Sequence, residues 1–172
     1  MNAEELRAAQ APLKQAYRDD PARARISARA EARLDTADIA AAVSRWHGET
    51  MAGLHPAAGG SGDLACSGDM LLEALVACAG VTLRAVATAM GITLRGGRVI
   101  AEGVWDARGT LAVDRTVPVG VSEIAVRFEL DTDADEAKLA RLLASTERYC
   151  VIFQTLGNPP RMTMSHTVLA GA

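Results

Sequence analysis

Gly68-Asp-Met-Leu-Leu-Glu-Ala-Leu-Val-Ala-Cys-Ala-Gly-Val-Thr-Leu-Arg-Ala-Val-Ala-Thr-Ala-Met-Gly91 is the stretch on which the fold turns. Leu and Ala dominate it and no proline interrupts it, so a helix is expected from about Gly68 to Met90. Gly91 stands where a left-handed cap belongs. At about 100° per residue, Asp69, Glu73, Gly80 and Arg84 fall along one face. Leu71, Leu75, Cys78, Val81 and Ala85 fall on another, apolar one. Because most of the circumference is apolar, this helix should be buried from more than one side. A bilayer reading fails on Asp69, Glu73 and Arg84, each costly at membrane depth, so the segment reads as a soluble core helix.

Upstream, His55-Pro-Ala-Ala-Gly-Gly-Ser-Gly-Asp63 is a loop by its glycines and proline. A strand is expected over Ile39–Trp46. From Arg25 to Leu34 the chain alternates: Ile26, Ala28, Ala30, Ala32 and Leu34 against Arg25, Ser27, Arg29, Glu31 and Arg33. That period of two reads as a half-buried strand with a charged outer face. Residues 1–21 form a polar arm, partly helical, ending at Pro21. Residues 22–172 form the domain proper.

Downstream, strands are expected at Val99–Asp106, Leu111–Val119 and Ile124–Leu130. A second helix should run from about Ala134 to Arg148, capped by Asp133 or Asp135. A short piece at Cys150–Leu156, a turn at Gly157–Pro160 and a last strand at Met162–Leu169 follow. Runs of strands around two helices give an α+β domain, not a doubly wound sheet.

The 172 residues are enough for one domain, with 49% hydrophobic and 23% charged residues. A net charge of −3 and only two each of Trp, Tyr and Phe lack the footprint of a nucleic-acid binder. The N-terminal residues contain no apolar h-region. Three cysteines without such a signal point to reducing cytoplasm.

No HExxH, CxxC, Walker loop or GxSxG elbow occurs. His47, His55, His166 and Cys66 have no local ligand spacing, so no metal and no cofactor are expected. The cysteines remain. Cys78 lies on the apolar face of the long helix and Cys150 just after the second one. A thiolate near positive charge, with a second thiol to trap a sulfenic acid, is what peroxide chemistry needs. Spacing alone leaves open whether the two are a redox pair or ordinary core residues.

The block Gly68–Arg84, leading into Cys78, resembles the first conserved block of the OsmC/Ohr family. Glu147-Arg-Tyr-Cys-Val-Ile-Phe-Gln-Thr-Leu156 resembles the second, and the likeness runs over roughly residues 22–170. It implies an OsmC-like fold, with antiparallel sheets wrapped around two central helices in an intertwined homodimer. It also implies a thiol peroxidase. Cys78 would reduce an organic hydroperoxide and become a sulfenic acid. Cys150 would resolve it as a disulfide, and an external dithiol would reduce that. Ohr-branch peroxidases hold the thiolate with an acid near the helix start and an Arg near the end of the first strand. Asp69 and Arg33 are the corresponding candidates, with Arg29 second to Arg33. Glu73 is a poor substitute, about 140° around the helix from Cys78.

This chain departs from the family after the second Cys, where Val151, Ile152 and Phe153 replace the usual Pro and polar residue. Cys66 is an extra thiol, read as a bystander. The alternative function is a non-catalytic protein of the same fold that binds a hydrophobic small molecule at the dimer interface.

Overall fold

The structure, a computed structural model, describes residues 1–34, 36 and 38–169. The last three residues of the expected domain, 170–172, lie outside the described residues. The elements run α1 (Ala3–Asp19), β1 (Ala32–Arg33), β2 (Ala40–Ser44), β3 (Glu49–Gly53), β4 (Ala65–Cys66), α2 (Ser67–Met90), β5 (Gly96–Val104), α3 (Ala107–Thr110), β6 (Glu123–Asp131), α4 (Glu136–Tyr149) and α5 (Val151–Gly157). This is a mixed α+β architecture.

The long helix forms as expected. Gly91 takes φ 68° and donates its N–H to Ala87 and Thr88 carbonyls, ending α2 where a Cβ would be strained. By length and composition α2 could cross a membrane, yet here it is the packing hub, touched by α1, β4, β5, α4 and α5. Its buried stripe is Leu75, Ala79, Leu83 and Ala87, one helical turn apart. The expected stripe through Cys78 and Val81 needs correction, since Val81 is 72% exposed. Within one chain, α4 and β5 cover one flank and leave the Val81 side open.

β5 and β6 pair antiparallel along their whole length, from Gly96↔Asp131 to Val104↔Glu123. They close on α2 around Leu83, Ala87, Ile92 and Leu142, with Phe128 and Leu130 contributed by β6. Asp135 caps α4 through the Lys138 N–H at 2.8 Å, which fixes where that helix begins. The second sheet has the order β1-β2-β3-β4, antiparallel except for the parallel β3–β4 contact. The expectation of purely antiparallel sheets is corrected at that contact. The arm is helical and lies against α2, with Asn2 and Glu5 forming a capping box.

Three expected strands are absent or short. Of Arg25–Leu34 only Ala32 and Arg33 pair with β2, and Ile26 and Leu34 are each 80% exposed. Alternation alone does not make a strand where the chain offers neither ladder partner nor apolar cover. Leu111–Val119 follows the short helix α3, whose start is capped by Asp106, and Ala112 has φ 55°. An Asp114–Thr116 turn then ends any extended run. Met162–Leu169 has no ladder partner among the described residues, and its apolar side chains are exposed. β3 and β4 were not anticipated.

Candidate functional site

Cys150 is the one residue between α4 and α5. Its N–H ends α4 on the Thr146 carbonyl at 2.9 Å, and its extended backbone (φ −74°, ψ 108°) starts a new helix. The first N–H groups of a helix have no intrahelical acceptor. Here two of them, from Val151 and Ile152, act on the Cys78 thiol of α2 and pull it toward the ionised form. The helix break therefore does two things: it places the Cys150 thiol beside Cys78, and it supplies backbone donors to the Cys78 sulfur. Thr146 secures the junction by donating its hydroxyl to the Leu142 carbonyl at 2.8 Å, although it is itself buried.

Burial by itself pushes the Cys78 thiol up. Hydrogen bonds from the Ile152 N–H, the Cys150 thiol, the Val151 N–H and the Thr82 hydroxyl outweigh it and hold Cys78 below the ordinary thiol range. Cys150 moves the other way. Burial pushes it up, and the neighbouring Cys78 adds to the rise against the opposing N–H groups of Phe153 and Ile152. Of the two thiols, Cys78 is therefore the easier to ionise and Cys150 the harder. Cys78 is half-buried and Cys150 is 1% exposed.

The surroundings are mostly apolar. A cavity of about 220 Å³ beside Cys150 is walled by Ala79, Val126, Phe128, Leu143 and Phe153, with Thr146 and Glu147 at its polar edge. A separate groove of about 400 Å³ is lined by Arg148, Tyr149, Cys150, Val151, Gln154 and Asn158.

Among the described residues, no Arg or carboxylate is among the groups that act most on this sulfur. Arg33 lies on β1 and binds Glu49 of β3, Nη2 to Oε2 at 3.1 Å. Arg29 pairs with Glu31 at 2.6 Å. Asp69, in the first turn of α2, is exposed and makes no hydrogen bond or ion pair among the described residues. Nine residues put it about 13 Å up the helix from Cys78 and about 180° around it. Glu73 reaches Arg45 at 3.8 Å. The groups that act most on Cys78 are neutral: two backbone N–H groups, a hydroxyl and a thiol. Thr82 and the two backbone donors were missed in the sequence. Thr82 stands one turn beyond Cys78, the spacing at which helix side chains meet, and could have been found.

Cys66 lies at the start of α2, about 18 Å along the axis from Cys78, too far to bridge to it. Among the described residues no three His, Cys, Asp or Glu side chains gather as metal ligands. His55 uses Nδ1 to accept the Ala57 N–H at 3.0 Å and stands edge-on to Trp105. His47 and His166 are exposed.

The family model for OsmC-like proteins matches residues 60–165, which contain both Cys78 and Cys150. A search of curated proteins returned no match. Among solved structures, an OsmC-like protein from Mycoplasma pneumoniae superposes with a TM-score of 0.66 at 17% identity, covering 78% of this chain and 89% of that one. An organic hydroperoxide resistance protein OsmC from Legionella pneumophila gives 0.61 at 15% identity, covering 78% and 93%. A hypothetical protein from Aquifex aeolicus VF5 gives 0.60 at 16% identity, covering 78% and 90%. At these identities the likeness is one of fold.

Proposed function

The chain belongs to the OsmC family, and from that premise we propose that it is a thiol-dependent peroxidase reducing organic hydroperoxides. One observation carries the reading: the break between α4 and α5 sets Cys150 beside Cys78, whose thiol is held below the ordinary range while that of Cys150 is pushed up. The Cys78 thiolate attacks the terminal peroxide oxygen, the O–O bond breaks, and the alkoxide leaves as alcohol after taking a proton from water. Cys78 is then a sulfenic acid. The Cys150 sulfur attacks it, the S–O bond breaks, and hydroxide leaves with the Cys150 proton as water. The product is a Cys78–Cys150 disulfide, which an external dithiol returns to two thiols. Apolar walls beside the pair suit an alkyl or aryl hydroperoxide better than hydrogen peroxide.

In this reading neutral donors take the place of an Arg–carboxylate pair at the thiolate. The working unit is a homodimer of the domain 22–172 in the cytoplasm, where the thiols stay reduced. Apolar side chains left uncovered in one chain, Ile26, Val81, Met162, Met164 and Val168 among them, support that assembly.

A second reading, a non-catalytic protein that binds a hydrophobic small molecule at the dimer interface, is favoured by the engagement of Arg33 with Glu49 rather than with the sulfur. Turnover separates the two. With dithiothreitol as reductant, consumption of cumene hydroperoxide is expected to exceed that of hydrogen peroxide and to vanish in Cys78→Ser. Consumption no faster than that of the Cys78→Ser protein would favour the binding role.

A further inference from the structure

Helices break at a proline, at a glycine or where another group enters the hydrogen-bond ladder. Neither Pro nor Gly stands among residues 147–153. Yet α4 ends at Tyr149, Cys150 takes ψ 108° where a helix has about −42°, and α5 begins at Val151. In an uninterrupted helix the Val151 N–H would donate to the Glu147 carbonyl, four residues back. With Cys150 extended that bond is lost, and the carbonyl is taken by the side chain of Gln154, whose Nε2 donates to it at 2.9 Å. Gln154 lies within α5 and donates its own N–H to the Cys150 carbonyl at 2.9 Å, so its side chain reaches back over the break. Asn158 orients the amide: its Nδ2 donates to Gln154 Oε1 at 3.4 Å, which leaves Nε2 for Glu147.

We propose that Gln154 is the positioning residue of the thiol pair: by occupying the Glu147 carbonyl, its side-chain amide keeps α4 and α5 from fusing and so holds Cys150 beside Cys78. This rests on the reading of the two cysteines as redox partners, and it names what keeps the resolving one in place. Gln154 acts through the backbone at the break. Without its amide, the Glu147 carbonyl is an orphan in the last turn of α4, and the Val151 N–H is the donor that helical geometry brings to it. Capturing that N–H turns ψ of Cys150 through roughly 150° to its helical value and moves the thiol with it. The same step withdraws the Val151 N–H from Cys78. One side-chain hydrogen bond thus decides between two helices with a thiol at their junction and one continuous helix.

The test reads how well the fold presents the two thiols to each other. The full chain is equilibrated with mixtures of reduced and oxidised glutathione and quenched in acid, and the Cys78–Cys150 disulfide is quantified by mass spectrometry. Gln154→Met keeps the side-chain length and removes the donor. Its equilibrium constant for disulfide formation is expected to fall about tenfold below that of the parent. Adding Val151→Pro should recover most of that loss. Proline offers no N–H to Glu147, its ring clashes in a continuous helix, and it is favoured at the first position of α5. Cys150 already has φ −74° and ψ 108°, which suit a residue before proline, and Val151 is 68% exposed. Proline should raise the constant about fivefold more in the Gln154→Met background than in the parent. Equal rises in both backgrounds, which loss of the Val151 donor alone would give, overturn the proposal. So does an unchanged constant in Gln154→Met, or a fall that proline does not repair. A parent that forms no Cys78–Cys150 disulfide with glutathione overturns the pairing, and the proposal with it. Failure of the peroxidase reading alone shows differently, as a disulfide that oxidised glutathione forms and an organic hydroperoxide does not.

Discussion

Thr82 is the side chain through which the state of Cys78 can be tuned without touching either thiol. Its hydroxyl is one of the donors that hold Cys78 below the ordinary thiol range. A hydrogen bond to a charged group contributes about 1.5 kcal/mol. Thr82→Val is therefore expected to lower the thiolate fraction at neutral pH, and with it the rate of Cys78 alkylation by iodoacetamide, about tenfold. The sign with pH follows from the thiolate being the reactive form. Alkylation of Cys78 rises with pH and levels off earlier than that of an ordinary thiol, and Thr82→Val moves the levelling to higher pH. A superimposable pH profile for the variant would remove Thr82 from the site. At this scale the two cysteines were legible as residue types at helix-associated positions. The N–H groups of Val151 and Ile152 were not, since a backbone donor has no letter in the sequence. What made them available was the break at Cys150, and nothing in Val151-Ile152-Phe153 announces it.

Among the elements, α4 carries the junction that holds Cys150. Leu142 on it is fully buried against Leu83, Ala87 and Ile92 of the core. Leu142→Ala removes a buried isobutyl group and should cost about 2–5 kcal/mol, seen as a lower midpoint in urea unfolding. A change under about 0.5 kcal/mol would show that the core at α4 is not packed as described. Elements defined by their own composition were readable: α2 through its Leu/Ala content and Gly91, α4 through an acidic cap at Asp133 or Asp135, and β6 through the alternation of Ile124, Val126, Phe128 and Leu130. The segments 25–34 and 162–169 were misread because a period of two describes a willing side-chain pattern and not a partner. Strand formation is a pairwise event, and this chain alone supplies no ladder for most of either segment. Leu111–Val119 was misread for a local reason, the Asp106 cap and the turn at Asp114.

Across the whole molecule the apolar surface is unevenly distributed. Ile26, Leu34, Met162, Met164 and Leu169 are all at least 80% exposed, and they come from the two segments that have little or no ladder pairing among the described residues. Large exposed apolar groups on two unpaired, strand-patterned segments are what an assembly interface looks like before assembly. Sedimentation equilibrium at micromolar concentration is expected to give twice the 18.0 kDa chain mass. A single-chain mass under the same conditions would count against the homodimer. The expected fold class, α+β with two main helices, followed from element order. The sheet arrangement did not, because β3 and β4 are short and mixed in direction.

The most direct measurement on the Cys78–Cys150 pair is thiol mapping by mass spectrometry after one equivalent of cumene hydroperoxide, without reductant. The pair, with Cys78 the more readily ionised thiol and Cys150 next to it, should give a Cys78–Cys150 disulfide within seconds and leave Cys66 free. Cys150→Ser should stop at a Cys78 sulfenic acid that dimedone captures. Both thiols still free after minutes, or a disulfide that includes Cys66, would contradict the assignment of Cys78 as the peroxide-reactive thiol and Cys150 as its partner.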